Sequence, residues 1–303
     1  MVWLSGVVAY QQAEEVLRRV GHQVIPRMSI WRQGQKHGER LKRYHDHQRA
    51  AAGIERVVLS SVTPDHRRQK GISLDGGMVN IREEGWKEFK TGTVFDVVPY
   101  QVQDVQTGEK VELAGASAVR YTAVVGDVAD FKSALWALAL DHDVPCAARS
   151  SVTADGAAWI WNLVADDFPD SIQIVDWYHA NEHLARAAHA LYPKNIEAAQ
   201  RWYQQMQTPL FQGQVWKIIQ PLERAGLDDH ARYFRTHQRR MQYLQFREEA
   251  YPIGSGTVES GIKQFKTRLV GPGMRWSRPA AQRMFILRAA ILNQDFDLLW
   301  IAA

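Results

Sequence analysis

Cysteine is nearly absent from the 303-residue sequence: Cys146 is the only one. That excludes an intrachain disulfide and a cysteine-based zinc knuckle, and it makes a reducing cytoplasm the expected compartment. Long hydrophobic runs are missing too. Nowhere do about eighteen uncharged apolar residues follow one another, and the apolar start MVWLSGVVAY is short, with no basic region and no small-residue cleavage pattern. Neither a membrane span nor a secretory leader is expected. Charge of one sign does not dominate, since 37 Lys and Arg face 33 Asp and Glu for a net +4. No internal repeat or low-complexity tract occurs. What remains is 46% hydrophobic and 23% charged, enough apolar surface for a large core, and the length suits one main domain with an appendage or insertion.

The small net charge is unevenly spread. Met1 to Ala50 carries nine Lys/Arg against four Asp/Glu, and Pro221 to Arg283 twelve against six. The first region reads as helix, tight turn, helix. YQQAEEVLRRV places Ala13, Val16, Leu17 and Val20 on one helical face. After a Gly-His break and Pro26, PRMSIWRQGQKHGERLKRY points Ile30 and Trp31 inward and Arg27, Arg32, Lys36, Arg40, Lys42 and Arg43 outward, as a helix lying on DNA phosphates requires. A solvated amphipathic helix would show the same pattern.

From Ile54 the period changes. ERVVLSSV, GISLDGGMVNI, TGTVFDVVPYQVQ, VELAG and AVRYTAVVG are β-rich runs bounded by Gly, Asp and Asn, which predict an antiparallel meander. VADFKSALWALALDHDV predicts a helix, ARSSVTAD a strand, DGAAWIWNLVADDFP a helix and SIQIVDW a strand. Tyr178 to about Glu249 reads as almost wholly helical, with breaks at Tyr192-Pro193, Thr208-Pro209 and Gly226. The loop YPIGSG leads to a helix over 257–270, GPG breaks it at 271–273, and a last helix runs from about Pro279 to Asn293. The expected organisation is a helical DNA-binding-like region (1–53), a first core segment (54–177), an all-α insertion (178–250) and a C-terminal core segment (251–303).

Three carboxylates stand out. Asp75 ends the run GISLD beside Gly76 and Gly77. Asp155 closes ARSSVTAD before Gly156, at the carboxyl end of a strand, where open α/β sheets build their sites. Glu259 lies in the first turn of a helix reached through GSGTVES, whose small residues permit close approach. Singly these are a turn aspartate, a helix cap and a dipole-favoured glutamate. As an ordered set, 80 and 104 positions apart, they match an RNase H-like core, an α/β fold with two carboxylates on neighbouring strands and a third on a helix packed across the mixed sheet. Such oxygen ligands suit a pair of hard divalent ions, Mg2+ or Mn2+, acting on a phosphodiester. On the Glu259 helix, Val258, Ile262, Phe265 and Leu269 form an apolar stripe. Lys263 and Lys266 flank Glu259 on the neighbouring face and Arg268 follows, where they would neutralise phosphates.

The runs ISLDGGMVNIREEGWKEFKTGTVFDV, TADGAAWIWNLVADDFPDSIQIVDWYHANEHL and YPIGSGTVESGIKQFKTRLVGPGMRWS resemble the DDE transposases of bacterial ISKra-type insertion sequences, distant relatives of Mutator-like enzymes. The likeness extends from about Tyr10 to the C-terminus. It implies that Asp75 and Asp155 are the two catalytic aspartates and Glu259 the catalytic glutamate, all three metal-binding. It also implies an RNase H-like fold with an all-α insertion before the glutamate helix, double-stranded DNA (element ends and target) as partner, and a homodimer or higher assembly on DNA. Asp176-Trp177-Tyr178-His179 resembles the Cys-x-x-His element of Mutator-like relatives, with Asp in place of Cys. Asp176 then substitutes as a structural hydrogen-bond partner, assists at the metal site beside His179, or replaces Asp155 as the second ligand.

His179, Glu182 and His183 have zinc-like spacing, but the order is HxxEH and no third protein ligand is evident. Arg275, Arg278 and Trp276 after the GPG turn are candidates for binding phosphate and stacking on an unpaired base, though a core or lid position is the favoured reading of Trp276. Of Trp159 and Trp161, at least one is expected in the core. Family members usually carry more chain ahead of the first helix, so a catalytically silent DNA-binding protein is the alternative, with a structure-selective RNase H-like nuclease as the third reading.

Overall fold

The computed structural model describes residues 1–55, 65–103 and 109–301. Most of the expected strand ERVVLSSV lies outside the described residues. Three helices open the chain, α1 (Val2–Val7), α2 (Tyr10–Arg19) and the 29-residue α3 (Arg27–Glu55). Three long strands follow: β1 (Asp65–Ile81), β2 (Gly85–Gln103) and β3 (Lys110–Val124). VELAG and AVRYTAVVG form one strand, β3, because an irregularity opposite Val94 and Asp96, with Ala118 at φ 50°, lets pairing continue past the break.

Helix α4 (Val128–Asp141), β4 (Ala147–Ala154), α5 (Ala158–Asp167) and β5 (Ile172–Val175) complete a five-stranded mixed sheet of order β3-β2-β1-β4-β5. β1 pairs antiparallel with β2 and parallel with β4, and β5 extends the parallel side. Five helices then follow, α6 (Trp177–Leu191), α7 (Ile196–Phe211), α8 (Trp216–Arg224), α9 (Asp228–His237) and α10 (Tyr243–Glu248), before α11 (Gly256–Leu269), α12 (Arg278–Leu292) and α13 (Leu298–Ile301). The chain is thus mixed α/β, its sheet flanked by helices.

Alternation along β1 decides what covers each face. Ile72 and Leu74 join a core with α4 and α5, whereas Val79 and Ile81, at odd positions, join a second core with α11 and α12. The first core continues through Leu184, Trp202, Leu222 and Phe234 of the helical segment. In the second, Phe89, Phe265 and Phe285 meet with ring centroids 4.6–6.4 Å apart. Burial of each such ring contributes about 1.5–3 kcal/mol. Among the described residues, no helix is long and apolar enough to cross a membrane.

Several local expectations change. Pro209 does not break a helix but sits inside α7, two residues from its end, so the one i to i−4 bond that it forgoes falls in the last turn and the helix stops soon after. In α2 only Ala13 is buried, while Val16, and Val20 just past the helix end, are exposed. Trp31 is 38% exposed although its neighbour Ile30 is fully buried. Consecutive residues lie about 100° apart on a helix, and α3 turns Ile30 to the core, leaving Trp31 outside. Trp161 is buried as one of its pair was expected to be, and Trp159 packs partly against the same core.

Candidate functional site

β1 does not stop at Asp75. Gly76 and Gly77 stay extended and keep the β2 register opposite Lys90 and Phe89, with Asp75 opposite Thr91. Pairing with β4 does stop there, since Leu74 opposite Ala154 is its last step. Asp75 and Asp155 therefore stand one residue past the last rung shared by two neighbouring parallel strands, Asp75 still within β1 and Asp155 just beyond the end of β4. Asp155 makes a tight turn, its Oδ1 accepting the Ala157 N–H at 2.8 Å, as an aspartate before a helix readily does.

Glu259 reaches the same edge from α11. The stripe Val258, Ile262, Phe265 and Leu269 is buried on the sheet, and the hydroxyls of Thr257 and Thr93 meet at 3.0 Å. Gly261 makes the approach possible: a Cβ there would lie 2.8 Å from the Tyr121 ring.

Asp75 senses the other two carboxylates. Burial, with the charges of Asp155 and Glu259, pushes the Asp75 carboxyl up to about 6, against the opposing pull of the Gly76 N–H, 2.6 Å from Oδ1, and of His179. Their like charges favour a cation at this edge. Among the described residues, no three His, Cys, Asp or Glu side chains form a group that could hold a metal ion as they stand. The three carboxylates share an edge without closing into a cage.

Asp176 has a different task. It is fully buried, its N–H donates to Ala154 O at 2.8 Å, its Oδ1 caps α6 by accepting the His179 N–H at 2.8 Å, and its Oδ2 accepts the Ser255 N–H at 2.5 Å. One side chain thus joins the end of β5, the start of α6 and the loop that delivers Glu259. Trp177 N–H to Ile253 O (2.9 Å) and Thr153 Oγ1 to Pro252 O (3.0 Å) fasten the same loop. Of the three roles open to it in the sequence, this geometry supports the structural hydrogen-bond partner.

Two residues escape sequence reasoning altogether. Tyr233 and His237 of α9 lean over the turn after Asp155: a Cβ on Gly156 would lie 2.6 Å from the Tyr233 ring and 3.2 Å from His237 Nε2. His183 stacks on Tyr233 at 3.5 Å and 9°. Burial pulls both His183 and His237 down to about 4, so both are neutral at pH 7. Burial, and then the charge of Asp155, raises the Tyr233 phenol. The i, i+4 aromatic pair in ARYFRTH was a visible signal, but its partner, Gly156, is 77 positions away from Tyr233.

The basic positions divide. Arg27, Arg32, Lys36, Lys263, Lys266 and Arg275 are exposed, and Arg40 is half-buried. Arg268 is not a surface residue. It is 1% exposed, its Nε donates to Ser5 O at 2.6 Å, and its guanidinium lies 4.8 Å from the Tyr10 ring and 5.1 Å from the Trp276 ring. Trp276 is likewise buried, and its indole N–H is spent on Leu269 O at 2.9 Å, so it braces the chain instead of presenting a free ring. Arg278 pairs with Glu84 at 2.5 Å. Comparison with models of known protein families and with characterised proteins gave no match.

Proposed function

We propose that the chain is a DNA transposase with an RNase H-like core, which cleaves a phosphodiester and joins the resulting 3′-hydroxyl to target DNA. The observation that carries this reading is that Asp75 and Asp155, at neighbouring parallel strands, and Glu259, on a helix packed across the sheet, share one edge where the charges of the latter two act on Asp75. It is supported by the resemblance of the three sequence runs around those residues to ISKra-type DDE transposases.

The donor set fits Mg2+ or Mn2+: every candidate ligand atom is a carboxylate oxygen, and a divalent cation would stabilise the ionised form of Asp75, which burial and then the charges of Asp155 and Glu259 disfavour. Asp75, Asp155 and Glu259 would hold the ions. When bound, such a pair activates a water or 3′-hydroxyl and stabilises the leaving oxygen. The protein's own share is positional. The Ala157 N–H fixes Asp155, Gly261 lets Glu259 approach, and Asp176 pins the loop before it. Lys263 and Lys266, one and two turns along α11, offer charge to flanking phosphates.

The test is a nicking and joining assay on DNA bearing the element's ends, with Mg2+ or Mn2+. Wild type is expected to nick and join, and Asp155→Asn and Glu259→Gln to do neither. Full activity in either variant would remove that residue from its role. Binding without chemistry would identify the silent DNA-binding protein, and end-independent cutting of branched DNA the nuclease.

A further inference from the structure

A second site lies at the other end of α11. Here α2, the start of α3 and the 273–277 segment enclose a cleft of about 550 Å3, within the size range of a small-ligand site. Its lining includes Arg27, Arg82, Arg268, Arg275, Trp31 and Trp276, and no carboxylate. Arg27, Arg82 and Arg275 are exposed, and among the described residues none of them makes an ion pair. Deeper in, Arg268 is almost wholly buried and its Nη2 has no hydrogen-bond partner. Four guanidinium groups gathered without a counter-charge call for an anion.

The apolar lining narrows the choice. Trp31 and Met28 are 38% and 53% exposed and border the same hollow. An acidic peptide would answer the arginines but leave the Trp31 ring facing water. A DNA duplex would answer them too, but it keeps its bases stacked on one another. An unpaired nucleotide supplies both a phosphate and a free aromatic face. We propose that this cleft holds an unpaired nucleotide of a single DNA strand, its base against Trp31 and its phosphates on Arg27, Arg82 and Arg275.

The site is separate from the carboxylate edge but lies in line with it. Arg82 is seven residues beyond Asp75 on β1's side of the fold, about 23 Å along an extended strand. Arg268 is nine residues beyond Glu259 on α11, about 14 Å, with exposed Lys263 and Lys266 between them. These spans set the reach that a single strand would need to occupy both sites. The link to cleavage rests on the function proposed above; the binding itself does not.

The experiment is fluorescence anisotropy of a short labelled oligothymidylate with the full chain in EDTA, with the same strand as a duplex and polyglutamate as comparators. The single strand is expected to bind best. Trp31→Ala is expected to weaken it about tenfold, Trp31→Phe to restore most of the loss, and Arg82→Ala/Arg275→Ala to reduce the slope of log affinity against log salt by about 1.4. Wild-type binding in Trp31→Ala, duplex binding equal to the single strand, or equal competition by polyglutamate would overturn the proposal. With no metal present, the outcome is independent of whether the carboxylates cut DNA.

Discussion

The two ends of α11 are electrostatic opposites. At its start Glu259 faces the sheet edge that carries Asp75 and Asp155, and burial, with the like charges of Asp155 and Glu259 added to it, pushes the Asp75 carboxyl up to about 6. At its end Arg268 lies buried among Tyr10, Trp276 and the other arginines of the cleft. The helix dipole does not explain the first end, since one favourable carboxylate there is worth only about 0.3–1 kcal/mol and three repel one another. In the readings proposed above, each end takes its complement from outside the chain, a divalent cation at one and a phosphate at the other.

Breaking the acidic end should have the largest effect. Asp155→Asn and Glu259→Gln are each expected to lower metal-dependent nicking at least about a hundredfold, measured as initial rate on end-bearing DNA, with oligonucleotide binding in EDTA unchanged. A loss of binding in step with activity would show that the two ends are not separable.

Next comes the support behind that end. Asp176→Ala removes a helix cap and leaves the Ser255 N–H buried and unpaired, which is expected to cost about 2–4 kcal/mol in urea unfolding. Gly156→Ala drives a methyl into the Tyr233 ring. It is expected to impair nicking more than Tyr233→Ala does, and adding Tyr233→Ala to it should recover part of the loss. Strict additivity of the two would mean that Tyr233 does not press on the Asp155 turn.

Smaller, and of opposite sign, is the effect of neutralising Asp75. An acid whose carboxyl is raised on folding destabilises the native state once it ionises. The penalty is absent below about pH 4, where folded and unfolded chains are both protonated, and complete above about pH 6. After discounting for partial exposure, Asp75→Asn is expected to stabilise the metal-free protein by about 1–2 kcal/mol at pH 8 and to have no effect at pH 3.5. By the same sign, metal-dependent activity should fall as pH drops through 6. The smallest effect belongs to Lys263 and Lys266 between the two ends. Their double replacement by Ala is expected to reduce the salt slope of duplex binding by no more than about 1.8, with the fold unchanged because both are exposed.

The acidic end was far more legible than the basic one. Asp75 and Asp155 each stand directly before a glycine and Glu259 two residues before one, and all three lie in strongly periodic runs. The order of strands and helices after Lys70 was readable for the same reason. Asp176 was conspicuous, but its role was not, because its second partner is Ser255, 79 positions on in the chain. The basic end misled because composition counts charge without saying where it points. Arg268 follows Lys266 on an exposed-looking helix, yet its position brings it under α1, where the Ser5 carbonyl draws it inward. Trp31 misled in the opposite direction, as an apolar residue next to a core isoleucine that stays outside. In both cases the deciding contacts are tertiary, between segments more than two hundred residues apart for Arg268.

The central claim is that the three carboxylates act together as one divalent-cation site. Calorimetric titration of the metal-free protein with Mn2+ at pH 7.5 tests it most directly, alongside Asp75→Asn, Asp155→Asn and Glu259→Gln. Wild type should bind Mn2+, and each substitution should weaken that binding about tenfold or more. Failure of the wild type to bind, or binding that survives all three substitutions unchanged, would contradict it.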